Sequence, residues 1–329
     1  MFQKSIDMIS QAAKVVVIQA ENPDGDSLGS ALALEEILGE LDKQVSLYCP
    51  VDIPRHLRYM SGWDRIVSDF DVKADLAIIV DTSAEVLLSK VLEAPNVRHF
   101  LETHPVLVLD HHISESTLSF EHVLEQQDVI ATGQLILSLA DTAGWSINAA
   151  ASTHMLSAML SDSLGLTTPN VNPDSYRAAA RLSELGASSA DIEERRREFM
   201  KKAPEILNYK AKLIERIEYY LDGKLAVVHV PFDEIQKYSD AYNPGALIGD
   251  ELRLVEGVAI SCVIKTYPDG KLTARLRSSF PVAEELAGFF GGGGHKYAAG
   301  FRIYETYENS LPEIISAADK VLAQVEIEA

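Results

Sequence analysis

Three near-continuous apolar runs, at residues 15–18, 76–80 and 106–109, frame the first half of the chain. A strand that is apolar at every position has both faces buried, which implies a parallel sheet covered by helices on each side. A shorter strand candidate lies at residues 45–48. Helix-like spacing fills the gaps: residues 31–38 follow the first run, residues 149–160 are rich in Ala and Met, and residues 174–186 read as a helix that Gly186 stops. The expected class is α/β, with a mostly parallel sheet and helices on both faces over residues 1–188, then a smaller α/β domain.

Acids stand where these elements end. Asn22-Pro23-Asp24-Gly25-Asp26 follows the first run, Asp81 closes the second, Asp110-His111-His112 closes the third, and Asp162 ends the Ala/Met-rich helix. An open parallel sheet binds ligands in the crevice at the carboxyl ends of its strands, so these residues are candidates for one site. Asp24 and Asp26 sit on one sharp turn, and carboxylates held that close raise one another's pKa unless a cation lies between them. Two readings fit that turn. One is a divalent-metal site; the other is an ordinary turn in which Asp26 caps the following helix.

Residues 189–222 read as a helical connector, interrupted near Pro204, whose Arg195-Arg196-Arg197 and Lys201-Lys202 suit a solvated helix face. In the second domain, residues 223–329, a strand at 225–230 precedes a hairpin turned by Pro268-Asp269-Gly270. A short helix at 282–290 then runs into Gly291-Gly292-Gly293-Gly294-His295-Lys296. Consecutive glycines cost backbone entropy, and they let N–H groups approach an anion closely. A strand at 301–304 and a helix at 311–325 close the chain. Tyr238-Ser239-Asp240-Ala241-Tyr242 offers paired aromatics, either to stack on a base or to pack the domain.

The formal net charge of −20 argues against a long duplex held on a basic surface and leaves a short anionic substrate, bridged by metal, as the partner class. Cys49 and Cys262 are the only cysteines, so neither a disulfide framework nor a sulfur-ligated zinc site is expected. No run approaches membrane-spanning length and no signal-peptide pattern opens the chain; a soluble cytoplasmic protein is expected. His56, His99, His104, His122, His154 and His229 lie in no motif and read as surface or core residues.

Taken together, the motifs resemble those of the DHH-family phosphoesterases, named for the triplet that stands here as Asp110-His111-His112. The likeness covers nearly the whole chain, and the Gly291–Gly294 loop with His295 and Ala298-Ala299-Gly300 is similar to the family's associated C-terminal domain. The nearest branch is the short, two-domain, nanoRNase-like group that acts on short oligonucleotides, dinucleotides or pAp. The resemblance implies a two-metal site, normally Mn²⁺, between the domains. One metal would be held by Asp24 and Asp81, the other by Asp26, Asp81, His111 and Asp162, with a water as nucleophile. His112 would contact the phosphate or protonate the leaving oxygen, and Asp110 would orient a histidine. Arg277, Ser278, Gly292, Gly293, Gly294 and His295 would bind substrate.

One position departs from the family pattern. The first motif begins with a histidine two residues before the Asn, and Ala20 stands there. With carboxylates and water alone, the first site would suit Mg²⁺ as well, or the chain would work with a single metal. The alternative is a catalytically impaired homologue that binds nucleotides. Oligomeric state is left open.

Overall fold

The computed structural model describes residues 2–239 and 242–328, without the side chains of Asp250, His295 and residues 326–328. The chain forms two compact units, Met1–Lys201 and Lys202–Ala329. No helix among the described residues is long and apolar enough to cross a membrane.

In the first unit the strands are β1 (Lys14–Ile18), β2 (Gln44–Tyr48), β3 (Ile66–Val67), β4 (Leu76–Val80), β5 (Val106–Asp110) and β6 (Val123–Gln126). They form a parallel sheet in the order β3-β2-β1-β4-β5-β6. The two short outer strands, β3 and β6, carry no long apolar run and are invisible to that criterion. The helices are α1 (Gln3–Gln11), α2 (Gly25–Glu40), α3 (Ser89–Glu93), α4 (Pro95–Thr103), α5 (Thr132–Ala143), α6 (Ala149–Asp162), α7 (Pro173–Glu184) and α8 (Ser189–Phe199). Alternation along β1 divides the core. Val15 and Val17 pack with Leu28, Leu135 and Met155 of α2, α5 and α6, whereas Val16, Ile18 and Ala20 pack with Val91 and Phe100 of α3 and α4. Chain order reverses between β1 and β4, which opens a crevice at their carboxyl ends.

The second unit contains α9 (Pro204–Glu215), β7 (Glu218–Tyr220), β8 (Leu225–Val230), α10 (Phe232–Tyr238), α11 (Pro244–Arg253), β9 (Ile260–Thr266), β10 (Lys271–Ser278), α12 (Ala283–Gly288), β11 (Gly293–His295), β12 (Ala298–Tyr304) and α13 (Tyr307–Glu328). Its mixed sheet runs β11-β12-β10-β9-β8-β7, with β8 and β9 parallel and the other pairs antiparallel. One face buries Leu272, Leu276 and Phe301 against α12 and α13; the other packs Val228 and Val263 against α9, α10 and α11. The charged helical stretch is divided, α8 falling in the first unit and α9 in the second. Tyr238 stacks on Tyr209 at 3.8 Å between ring centroids, so it packs the unit; Asp240 and Ala241 lie outside the described residues. Two histidines without a motif have structural places. His154 is buried, which pushes its pKa down to about 4, and His229 bonds Thr266 and stacks on Tyr307.

Glycines set how closely α2, α5 and α6 approach. A Cβ at Gly29 of α2 would lie 2.7 Å from the His154 carbonyl oxygen and 3.1 Å from the Ala158 Cβ, both on α6. A Cβ at Gly133 of α5 would lie 2.7 Å from the Ala158 Cβ, and one at Gly25 would meet Ser161. Gly39, on the same helix α2, has nothing within 4 Å. Alanine is worth about 1 kcal/mol more than glycine inside a helix, while overpacking costs about 1–3 kcal/mol. Urea denaturation of Gly29→Ala is therefore expected to show a net loss of up to about 2 kcal/mol, and Gly39→Ala a gain of up to about 1 kcal/mol. Equal shifts in the two variants would mean that α6 yields freely.

Candidate metal centre

The loop after β1 ends in Asp24, which caps α2. One of its oxygens, Oδ1, accepts from Asp26 N at 3.0 Å and Ser27 N at 2.9 Å, and Asp24 N in turn donates to Ser27 Oγ. The cap is thus Asp24 rather than Asp26, and Asp24 is exposed at the rim. Asp26, in the first turn, is buried and turned inward. Its carboxylate accepts from Thr132 N at 2.6 Å, Gly133 N at 3.1 Å and Ser30 Oγ at 3.1 Å. The first N–H groups of α5, whose own N-cap Ala131 offers no side-chain acceptor, are satisfied from another helix.

Asp81 follows β4 in a left-handed conformation, φ 65°, that costs a non-glycine residue of order 1 kcal/mol. Its Oδ1 accepts from Thr132 Oγ1 at 3.1 Å. His111, after β5, directs Nδ1 at the Val129 carbonyl, 3.0 Å away. A carbonyl only accepts, so Nδ1 carries a proton, and in the neutral ring the lone pair is on Nε2. That Nε2 is buried with no hydrogen-bond partner among the described residues, and it faces Asp81 Oδ1 at 3.5 Å, Asp26 Oδ2 at 3.7 Å and Asp162 Oδ2 at 3.7 Å. Burial pushes Asp81 well above the usual carboxylate range, and Asp26 and Asp24 add to the effect; burial likewise raises Asp26 and Asp162. An unpartnered imidazole nitrogen ringed by carboxylates that resist ionisation together is a donor set for a divalent cation. Asp81, His111 and His112 also place ligand atoms within 4.8 Å of one another.

Asp110 and His112 form a second arrangement beside this one. Asp110 is buried; its Oδ1 accepts from His112 Nδ1 at 2.8 Å and His112 N at 3.1 Å, and its Oδ2 from Ser83 Oγ at 2.7 Å. Burial pushes Asp110 up, but the bonds from His112 and Ser83 together outweigh it and hold the carboxyl below its usual value. The same bond raises His112, whose ring is more than half exposed and has its Nε2 available. Thr132, Ser83 and the Val129 carbonyl were not among the candidate residues. The hydroxyl residue and glycine opening α5, Thr132-Gly133, are the one local signal that pointed to them.

Ala20 is buried among apolar residues of β1, β2 and β4. Neither neighbour supplies the missing nitrogen. Glu21 is engaged at the start of α3, accepting from Ser89 Oγ and Lys90 N, each at 2.8 Å. Gln19 lies on the opposite strand face, fully buried.

In the second unit, Arg277 is half-buried at the end of β10, with Nη1 donating to the Leu276 carbonyl at 3.0 Å. Ser278 differs from the expectation of substrate contact. It is buried, donates to the Ala259 carbonyl at 3.1 Å and accepts from Phe280 N at 3.1 Å, so it braces the turn that follows Arg277. The glycines also have structural work. A Cβ at Gly292 would lie 2.3 Å from the Gly300 carbonyl oxygen, and one at Gly294 2.7 Å from that of Ala298, because β11 packs tightly on β12. The Gly292 N–H donates to Ala287, whereas Gly293 faces open space. The His295 side chain lies outside the described residues.

Family profiles match in the same arrangement: the DHH family, N-terminal domain, over residues 14–161, and the DHHA1 domain over residues 224–324. The chain carries a DHH-family N-terminal domain followed by a DHHA1 domain. Its relatives include a bifunctional oligoribonuclease and PAP phosphatase NrnA of Thermus thermophilus, 28% identical over 282 residues, covering 85% of this chain and 81% of that one. A Bacillus subtilis protein of the same name is 21% identical, covering 98% and 96%. In fold, the DHH chain is similar to the crystal structure of an exopolyphosphatase-related protein from Bacteroides fragilis, with TM-score 0.82, 23% identity and coverage of 98% and 96%.

Asp81→Asn tests the electrostatic reading. A carboxyl whose folded pKa is raised binds a proton more readily in the folded state, so its contribution to stability is lost as pH rises, and at neutral pH the charge opposes folding. Asparagine tolerates the left-handed backbone and carries no charge. The metal-free variant is expected to be more stable than the parent by about 1 kcal/mol, and to lose the rise in melting temperature that Mn²⁺ gives the parent. A metal-free variant less stable than the parent would contradict this account.

Proposed function

We propose that this DHH-family chain is a divalent-metal-dependent phosphoesterase that hydrolyses short oligonucleotides, dinucleotides or pAp. The observation that carries the reading is the buried His111 Nε2, which has no hydrogen-bond partner among the described residues and faces Asp26, Asp81 and Asp162 at 3.5–3.7 Å. Those four residues would hold one cation, and Asp24 with Asp81 a second, through oxygens alone. When bound, such cations stabilise charge on a phosphoryl group and lower the pKa of water enough to make it a nucleophile at neutral pH. Either Mn²⁺ or Mg²⁺ suits a set this rich in carboxylates. The activities in the relatives' names support the substrate class.

The chain's own residues would do the rest. Thr132 fixes the Asp81 carboxylate and the Val129 carbonyl fixes the His111 tautomer. His112, held through Nδ1 by Asp110, presents Nε2 to the phosphate or donates a proton to the departing oxygen. Arg277 grips a substrate phosphate through its charged fork. Ala20 favours a second reading, in which the chain binds nucleotides without turning them over, because neither neighbour in the chain restores the nitrogen.

Hydrolysis of pAp and of two- to five-nucleotide RNA, with Mn²⁺ or Mg²⁺ and an Asp81→Ala control, separates the readings. Turnover that vanishes in the control is expected. Binding without turnover in either metal, cured by Ala20→His, would establish the impaired homologue instead. His112→Gln is expected to lower kcat on RNA by about 10²–10⁴-fold. A p-nitrophenyl nucleotide ester, whose leaving group needs no proton, should retain most of its rate in this variant. An equal loss on both substrates would exclude His112 as the proton donor.

A further inference from the structure

The order β2-β1-β4-β5 in the first sheet sets the order of the residues that leave its carboxyl edge. Asp24 comes after β1, Asp81 after β4 and His111 after β5, so the stretch after β2 flanks Asp24 on the side away from Asp81. That stretch holds a histidine outside the motifs. His56 lies on a single 3₁₀ turn, Arg55–Leu57, and the turn is tied to the Asp24 loop before and after it. Before it, Cys49 Sγ donates to the Ala20 carbonyl at 3.5 Å and Gln19 N to the Tyr48 carbonyl at 3.0 Å. After it, the Met60 Cε lies 3.6 Å from where a Cβ on Gly25 would stand, and Leu57 packs in the same core as Leu28 of α2. Leu57 N donates to the Pro54 carbonyl at 2.9 Å, which closes the turn. Arg58 is drawn away from the loop, its Nε donating to the Ile53 carbonyl at 2.9 Å and its guanidinium stacked over the Trp63 ring.

The turn thus holds the His56 backbone beside Asp24 and leaves the imidazole exposed, open to turn about its side-chain bonds. Charge joins the two residues: partial desolvation pulls His56 below the usual histidine range, and the Asp24 carboxylate pulls against it. Asp24 commits Oδ1 to the α2 cap and keeps Oδ2 out of those bonds. At the motif position Ala20 offers no lone pair, and Asp24 with Asp81 gives a cation oxygens alone. We infer that His56 adds the nitrogen ligand to the cation held by Asp24 and Asp81, from the strand beside the one that carries Ala20. A nitrogen then stands on each flank of the carboxylates, His111 on the β5 side and His56 on the β2 side. The second cation would be one that accepts imidazole, such as Mn²⁺ or Co²⁺, ahead of Mg²⁺. This rests on the metal-dependent reading above and names the ligands of its second cation.

Isothermal titration calorimetry of the metal-free full chain with Co²⁺, and separately with Mg²⁺, counts the bound cations and reads each affinity without substrate or turnover. Co²⁺ is the sharper probe because it ranks above Mn²⁺ for nitrogen donors. The parent should bind two Co²⁺ per chain. His56→Ala should weaken one of them by roughly tenfold or more, leave the other within about twofold, and change Mg²⁺ binding little. Because the His56 ring is exposed, the metal-free variant should melt at the parent's temperature. Unchanged Co²⁺ affinities, an equal loss at both cations, or an equal loss for Co²⁺ and Mg²⁺ would overturn the assignment. A lower metal-free melting temperature with weaker binding throughout would overturn it too, by giving His56 a structural role. A parent that binds a single Co²⁺ would also overturn it, and would leave hydrolysis of pAp or RNA with one cation standing. Two Co²⁺ with the His56 dependence, but no hydrolysis in Mn²⁺ or Mg²⁺, would instead remove the catalytic reading and leave His56 as a ligand.

Discussion

Mutual repulsion among carboxylates gathered at the carboxyl edge of a parallel sheet is the constraint on which the first unit depends. Asp26 and Asp81 are almost fully buried, with Asp162 close by, and burial and proximity both resist their ionisation. The fold answers with partial positive charge. The N-terminal N–H groups of α5 point at Asp26, and the Thr132 hydroxyl points at Asp81. The remaining imbalance is what a cation would relieve. A site assembled in this way is preformed, at the cost of a left-handed aspartate and of some stability when metal is absent.

Helix packing delivers these groups to one point. Asp26 opens α2, Thr132 opens α5 and Asp162 ends α6, so any slip of one helix past another would separate them. Gly25, Gly29 and Gly133 sit at the contacts between those helices, where side chains would force them apart. Small residues here serve the chemistry indirectly, by fixing the height of the Asp162 carboxylate against His111. Beside them, Ser83, Asp110 and His112 form a separate hydrogen-bonded line, which leaves one histidine to the carboxylate cluster and the other facing solvent.

Ala20 bears on the cation inventory and not on this scaffold. Its methyl group fills apolar space against β2 and β4, and the neighbouring Glu21 orders the start of α3. The cluster around His111 keeps its nitrogen donor, whereas neither Gln19 nor Glu21 brings one towards Asp24. In the second unit, close packing of β11 on β12 explains Gly292 and Gly294 without invoking a ligand, so Gly293 and Arg277 are the positions where a phosphate approach is open to test.

Local pattern determined much of this protein. Doubly buried strands dictate a parallel sheet with helices on both faces, and acids at strand ends, in motif order, mark the cluster along the chain. Short strands such as Ile66–Val67 and Val123–Gln126 escaped notice because two to four residues carry no periodicity. Tertiary structure alone decided the supporting partners. Thr132 lies 106 residues from Asp26 and Ser83 lies 27 from Asp110, and bonds across such distances are set by how helices and strands pack, not by any propensity readable along the chain.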